Sequence, residues 1–251
     1  MEHKSGRQMG KNMIVYAMSR NGHHAIINWI GKQLPYNVTF HNNCIHSIPS
    51  GEIKGTGHDV HYENGLEEAH IYSFENIDMD IVSSFGVPQM IDNPTNIIIV
   101  RDLLNWAASL TMQLKLEYLY IPYTEDGLPG FDIPIIEIYK THLIEIAGIT
   151  NILDNKTVIG YNQWCKDEQY RRDIADTLGM YFTDDGFLEV STIGDGSSFD
   201  KNKFDGKANK MTTLDRYKYL SEHNMKYITK DKELMDLVKL TAHQMGPIPW
   251  L

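Results

Sequence analysis

The strongest structural signal in the sequence lies in residues 13–34, which read MIVYAMSRNGHHAIINWIGKQL. The first part, Met13–Met18, is a short apolar run with β-forming residues, which predicts a buried strand. The last part, His24–Leu34, carries apolar residues at helical spacing, which predicts an amphipathic helix. A strand, a glycine-containing turn and a helix in this order predict the first βα unit of a parallel sheet.

The same alternation of strand and helix continues along the chain. Further strands are predicted at Asn37–His41, His70–Phe74, Asn96–Val100 and Thr157–Tyr161. Further helices are predicted at Leu103–Tyr118, Ile135–Ala147, Lys166–Leu178 and Lys232–Met245. Two segments, Asn42–Glu68 and Leu188–Met211, lack clear periodicity and are predicted to be long loops.

These elements predict an α/β fold with three layers, in which helices cover both faces of a mostly parallel central sheet. We expect a single domain over residues 13–251, because 251 residues without a shift in composition fit one large domain. The polar N-terminal residues 1–12 are predicted to be a disordered tail.

Composition and charge exclude several classes of partner. The 23 basic and 33 acidic residues give a net charge of −10, which disfavours nucleic acid as a partner. We see no apolar run of about 18 residues, so no membrane partner is expected. The two cysteines, Cys44 and Cys165, lie far apart, which favours free thiols and a cytoplasmic location.

Candidate ligand-binding residues lie where strands end, because open α/β sheets bind ligands beyond the carboxyl ends of their strands. The first strand is followed by Arg20 and Gly22, and a helix begins directly afterwards. A helix N-terminus beside a guanidinium is a favourable site for an anion such as phosphate. An ordinary βα turn without a ligand is the alternative interpretation.

Three later segments carry residues of the same kind. Arg101 follows the fourth strand, and Ser109 lies eight residues further on in the predicted helix; a surface ion pair of Arg101 with Asp102 is the alternative. Tyr161 ends the fifth strand, where a ring can stack on a base or pack into the core. The loop Gly196–Phe199 offers backbone amides and two hydroxyls, unless it is a solvated turn.

In their order and spacing, these motifs resemble those of the sulfotransferases that use 3′-phosphoadenylyl sulfate, whose fold is similar to that of P-loop NTPases. The resemblance implies that the first loop holds the 5′-phosphosulfate, that Arg101 and Ser109 hold the 3′-phosphate, and that Tyr161 contacts the adenine. It assigns cofactor binding to Arg20, Asn21, Gly22, His23, His24, Ala25, Arg101, Ser109, Tyr161, Ser197, Ser198 and Phe199, with Arg216 as a further candidate. His23 and His24 depart from the family pattern, which has threonine at both positions.

The resemblance also implies a reaction, the transfer of a sulfuryl group to a hydroxyl or amine. Arg20 would stabilise the leaving phosphate. The acceptor's proton would pass to a base at a strand end, for which Glu75 and His41 are preferred, with His23 and His24 as alternatives. No metal is expected, the acceptor is a small molecule or a glycan, and the sequence does not predict the oligomeric state.

Two other functions fit the same fold class. A nucleotide-dependent kinase or hydrolase is disfavoured, because the sequence has no Gly-x-x-x-x-Gly-Lys-Ser/Thr loop. A non-catalytic nucleotide-binding protein would keep the cofactor site without transfer.

Overall fold

The computed structural model describes residues 12–47, 52–56, 59–115, 122–123, 133–193 and 196–251. Its main sheet has six strands, in the spatial order β10 (Thr157–Gly160), β7 (Thr95–Val100), β1 (Met13–Ala17), β6 (Glu68–Glu75), β2 (Asn37–His41) and β5 (Val60–Glu63). All neighbouring pairs are parallel except β2 and the edge strand β5, which are antiparallel. Two short antiparallel pairs join β3 (Cys44–Ser47) to β4 (Glu52–Gly55) and β8 (Pro122–Tyr123) to β9 (Ile133–Pro134).

The α-helices of the described residues surround this sheet. They are α1 (His23–Gln33), α2 (Met79–Phe85), α3 (Leu103–Leu114), α4 (Ile135–Ile146), α5 (Tyr161–Lys166), α6 (Glu168–Thr177), α7 (Glu222–Thr229) and α8 (Lys232–Met245). Short 3₁₀ helices cover Val87–Met90, Ala208–Lys210 and Thr213–Tyr219. In the part of the chain that the structure describes, no helix has the length and apolar character needed to cross a bilayer.

The core has two halves, one on each face of the sheet. Along β1, Ile14 and Tyr16 pack with apolar residues of α3, α4 and α8, whereas Val15 packs on the opposite face with residues of α1 and α6. This alternation follows from the two-residue period of a strand, and it buries both faces of the sheet. The predicted three-layer fold with a mostly parallel sheet is therefore confirmed.

The loop predicted at Asn42–Glu68 is wrong, because it contains β3, β4 and β5. Each of these strands has only four residues, too few for an alternating pattern to emerge from the sequence. The described part of Leu188–Met211 does consist mostly of turns, with one isolated bridge between Ser197 and Lys201 and the 3₁₀ helix noted above.

Three predicted helix and strand boundaries also need correction. The strand predicted to end at Tyr161 stops at Gly160, because Tyr161 begins α5. The helix predicted at Lys166–Leu178 is divided at Asp167, whose side chain accepts a hydrogen bond from the Tyr170 amide and caps α6. Helix α3 ends at Leu114 rather than Tyr118, since Lys115 adopts a left-handed conformation with φ of 52°.

Of the predicted tail at residues 1–12, only Asn12 lies among the described residues. Its side-chain oxygen accepts a hydrogen bond from the His70 amide in β6, and its carbonyl accepts one from Thr95. Helices α2 and α7 have no counterpart among the predicted elements.

Candidate functional site

The turn between β1 and α1 brings a helix start to the carboxyl edge of the sheet. Gly22 has a φ of 93°, and a Cβ atom built on it would lie 2.2 Å from Cε2 of Tyr161. Glycine is therefore required here both for the backbone conformation and for the close approach of the tyrosine ring. The Asn21 side-chain oxygen accepts a hydrogen bond from the His23 amide at the start of α1, and the positive end of the α1 dipole faces the space beyond the sheet.

That space is a cavity of about 260 Å³. Most of the residues predicted to bind the cofactor line it, namely Arg20, Gly22, His23, His24, Ala25, Arg101, Tyr161, Ser197 and Ser198. Glu75 and Arg216 line it as well. Asn21, Ser109 and Phe199 lie behind the cavity wall, where they contact residues that line it.

Two buried arginines meet on one side of the cavity. Arg101 is 1% exposed, and its guanidinium donates to the hydroxyl of Ser109 at 3.0 Å. Arg216 is 6% exposed; it donates to the same hydroxyl at 3.5 Å and to Ser197 Oγ at 2.7 Å. Burial and the neighbouring Arg101 both lower the pKa of Arg216, which records the repulsion between the two cations.

The charge of these two arginines is only partly balanced. Asp200 lies 3.3 Å from Arg216, whereas Arg101 donates to the carbonyls of Arg20 and Thr213 and forms no ion pair with a carboxylate of the described residues. The alternative interpretation, an ion pair between Arg101 and Asp102, is wrong. The Asp102 carboxylate caps α3 and accepts hydrogen bonds from Asn105, Asn162 and Trp250. An excess of buried positive charge remains, and an anion would stabilise it.

Arg20 connects the first loop to the loop at Gly196–Phe199. Its Nε donates to Ser198 Oγ at 2.8 Å, and its Nη2 donates to the carbonyl of Gly196 at 2.7 Å. The carbonyl of Arg20 in turn accepts a hydrogen bond from Arg101 at 3.4 Å. The two arginine-lined parts of the cavity are therefore neighbours.

Glu75 forms a compact cluster with two histidines at the start of α1. Its Oε1 atom lies 3.2 Å from Nε2 of His23 and 3.4 Å from Nε2 of His24, while Oε2 accepts a hydrogen bond from Ser19. Burial raises the pKa of Glu75, but the facing imidazoles outweigh it and hold that pKa well below its ordinary value. Burial, together with the charge of His24, lowers the pKa of His23.

His41, one of the two preferred candidates for the base, is not brought to this cavity. Its Nδ1 lies 3.1 Å from Asp59, its Nε2 lies 3.0 Å from Nδ1 of His70, and its ring stacks on Tyr72. Although β2 does end near the cavity, where Asn42 and Asn43 line it, His41 belongs to a separate polar group on the sheet.

The sequence did not indicate the apolar wall of the cavity. Trp164, Phe187, Val190, Ile193 and Met211 lie along it. Most of them come from the segment between α6 and the 3₁₀ helix at Ala208–Lys210, where no periodicity marks them as inward-facing. This wall suits the flat apolar face of a ring.

Comparison with known proteins supports the fold. No protein-family model matches the sequence, and neither does any curated protein. Among solved structures, mouse sulfotransferase SULT7A1 complexed with PAP is similar, with a TM-score of 0.51, 12% identity, and coverage of 92% of this chain and 88% of that chain. A sulfotransferase domain from the curacin biosynthetic pathway has a TM-score of 0.49 and 11% identity, with coverage of 95% and 100%.

The likeness to the mouse enzyme shows that the chain has the α/β fold of a sulfotransferase, similar to that of P-loop proteins, as the sequence motifs predicted. At 12% identity, the likeness concerns the fold.

Proposed function

We propose that this protein is a sulfotransferase that moves a sulfuryl group from 3′-phosphoadenylyl sulfate to a hydroxyl or amine of a small-molecule or glycan acceptor. The observation that carries the proposal is the convergence of Arg101 and Arg216 on the hydroxyl of Ser109, beside Arg20 and the start of α1. This cofactor carries two anionic groups on one ribose, so it needs two neighbouring anion sites of this kind.

The first anion site is the turn before α1. Arg20, Gly22 and the N-terminus of α1 would surround the 5′-phosphosulfate, with Ala25 in the same wall. As the bond from sulfur to the leaving phosphate oxygen breaks, negative charge builds on that oxygen. The Arg20 guanidinium and the helix dipole are fixed in place before the reaction and would stabilise this charge. Asn21 would act indirectly: its side-chain nitrogen donates to the carbonyl of Ile99, and its side-chain oxygen contacts Nδ1 of His23 and fixes that ring.

The second anion site is assigned to the 3′-phosphate. Arg101, Arg216 and Ser109 would contact it, and the hydroxyls of Ser197 and Ser198 hold Arg216 and Arg20 in position. Tyr161 lies between the two sites, packed against Gly22, with Arg101 5.0 Å above its ring. We assign the adenine to the wall that Tyr161 forms with Trp164. Phe199 contributes from behind, where its ring lies 4.9 Å from the Arg216 guanidinium.

Activation of the acceptor is assigned to the cluster of Glu75, His23 and His24, which lines the cavity next to the first anion site. The acceptor oxygen or nitrogen would attack sulfur in line with the leaving phosphate oxygen. A new bond to sulfur forms, the old sulfur–oxygen bond breaks, and the acceptor's proton leaves through the cluster.

A thermal-shift titration tests the cofactor assignment. We expect 3′-phosphoadenosine 5′-phosphate at 100 times its Kd to stabilise the protein by about 2.7 kcal/mol, a rise in Tm of about 5–10 °C. The shift should disappear in Arg101→Ala and persist in Arg172→Ala, a matched control whose arginine pairs with Glu168 on an exposed face of α6.

Other outcomes of this titration would contradict the proposal. A shift that only ATP with Mg²⁺ produces would favour a kinase or hydrolase. Binding of the bisphosphate without transfer from 3′-phosphoadenylyl sulfate to any member of a panel of hydroxyl and amine acceptors would favour a non-catalytic nucleotide-binding protein.

A further inference from the structure

Three potential metal ligands meet at the cavity wall. The ligand atoms are Nε2 of His23, Nε2 of His24 and one oxygen of Glu75, all within 4.8 Å of one another. The sheet brings these residues together, because β6 runs beside β1 and pairs Glu75 with Ala17, six residues before His23.

The hydrogen bonds of His23 fix which of its nitrogens carries the proton. The amide nitrogen of Asn21 donates to the carbonyl of Ile99, so its oxygen must face His23. That oxygen lies 3.0 Å from Nδ1 of His23, which is therefore the protonated nitrogen. The lone pair of Nε2 is left pointing away from Asn21, toward Glu75.

This lone pair lacks a donor. Nε2 of His23 is buried and has no hydrogen-bond partner among the described residues, yet it lies 3.2 Å from a carboxylate oxygen. Two acceptors this close repel each other in a buried site unless a proton or a metal ion lies between them. A second proton would place a positive charge on a ring that is only 2% exposed, whereas a metal ion would be held by three ligands at once.

Two of the three spacings between the ligand atoms fit a metal ion. Tetrahedral coordination with bonds of about 2.0–2.1 Å places neighbouring ligand atoms about 3.3–3.4 Å apart. The distances from the Glu75 oxygen to Nε2 of His23 and to Nε2 of His24 are 3.2 and 3.4 Å, and the two nitrogens lie within 4.8 Å of each other. Metal ligands in proteins are usually hydrogen-bonded to further residues that fix their orientation. Here Nδ1 of His23 donates to the Asn21 oxygen, and the Ser19 hydroxyl donates to the second Glu75 oxygen.

We propose that His23, His24 and Glu75 bind one divalent transition-metal ion, with Zn²⁺ as the simplest candidate, and leave a coordination position open to the cavity. Two imidazoles and one carboxylate form a ligand set of catalytic zinc sites, whereas Mg²⁺ and Ca²⁺ prefer oxygen ligands. His24 Nε2 now lies 2.8 Å from Asn42 Oδ1, so binding requires its proton to move to Nδ1. The proposal revises the expectation that no metal takes part, and it holds whether or not the cavity takes the sulfuryl donor. With the ion bound, the three side chains would serve as its ligands, and a hydroxide at the open coordination position would take the acceptor's proton in their place.

The test is a titration of chelator-stripped protein with Zn²⁺ in competition with a zinc-binding dye, followed by Co²⁺ titration monitored by visible absorption. We expect one ion per chain and the intense absorption of tetrahedral Co²⁺. Affinity should fall by at least about 100-fold in His24→Ala and in Glu75→Gln, because loss of an outer partner alone costs up to about that much. His61→Ala, on an exposed part of β5, is the matched control and should bind like the native protein.

Two results would overturn the proposal. One is the absence of stoichiometric Zn²⁺ binding to the native protein. The other is a Glu75→Gln variant that binds Zn²⁺ as tightly as the native protein, while its Tm and circular dichroism show that it is folded. Failure of this proposal can be told apart from failure of the proposed function. If the bisphosphate raises the Tm of the metal-stripped protein but the protein binds no Zn²⁺, the cofactor site stands and the metal site does not. Zinc binding without any thermal shift from the bisphosphate would support the metal site and contradict the cofactor site.

Discussion

Ser109 shows how much a single residue contributes to the candidate anion site. Its side chain is fully buried in α3, and its hydroxyl accepts hydrogen bonds from both Arg101 and Arg216. The eight-residue spacing from Arg101 was visible in the sequence, because a strand end followed by a helix fixes the distance between these positions. Its second partner, Arg216, lies 107 positions further along the chain, where no local pattern connects it to Ser109.

At the same scale, Ser109→Ala should weaken binding of 3′-phosphoadenosine 5′-phosphate about tenfold. The lost hydrogen bond to a charged group is worth about 1.5 kcal/mol, and 1.4 kcal/mol corresponds to a factor of ten. Isothermal titration calorimetry measures the change. Ser84→Ala, whose exposed hydroxyl donates to the Asp80 carbonyl in α2, is the control and should leave the affinity unchanged. Equal affinity in the two variants would contradict the role given to Ser109.

At the scale of elements, the β1–α1 turn was the part of the site that the sequence predicted best. Its strand, glycine and helix are consecutive, so local periodicity and turn chemistry suffice to place Arg20 and Gly22 at the sheet edge. The cluster at Glu75 depends instead on strand order, which comes from pairing between distant segments. From the sequence, His41 and Glu75 were equally preferred as candidates for the base. The parallel register of β1 with β6 brings Glu75 to the histidines of α1.

The same turn gives a prediction for Gly22→Ala. The new methyl group would overlap the Tyr161 ring, so the ring or the turn must move, and the backbone would also be strained at a φ of 93°. We expect a loss of stability well above the 1–2 kcal/mol or so typical of left-handed strain, together with loss of bisphosphate binding. Urea unfolding and the thermal-shift titration measure the two effects.

Gly148→Ala separates these two causes. Gly148 has a φ of 72°, but a Cβ atom there meets nothing within 4 Å. This variant should show the backbone strain alone and keep full bisphosphate binding. If Gly22→Ala costs no more than Gly148→Ala and still binds the ligand, the contact of Tyr161 with the turn does not shape the site.

At the scale of the whole molecule, stability depends on a buried carboxylate far from the cavity. Glu145 at the end of α4 is fully buried and accepts hydrogen bonds from Thr150, Ile152, Leu153 and Lys156. These contacts hold the connection from α4 to β10, the strand that precedes Tyr161. The network was not evident from the sequence, because two of its four donors are backbone amides and all four lie in an irregular segment.

Glu145→Gln should therefore lower the free energy of unfolding by about 3 kcal/mol at pH 7, since it leaves Lys156 without its buried partner. Burial raises the pKa of Glu145, but Lys156 and the amide donors outweigh it and lower the pKa below its ordinary value of 4.5. A lowered pKa means that the carboxylate stabilises the fold fully above pH 4.5, and that this stabilisation is lost as the pH falls through the folded-state pKa.

The difference in unfolding free energy between native protein and Glu145→Gln should consequently be constant near neutral pH and shrink in acid. Urea unfolding across this range measures it. Glu168→Gln, which breaks an exposed pair with Arg172 in α6, should cost less than about 1 kcal/mol at every pH. A difference for Glu145→Gln that stays constant from neutral pH into acid would mean that the Glu145 charge does not stabilise the α4–β10 connection. A difference near zero at every pH would mean that the amide of the glutamine replaces the carboxylate fully.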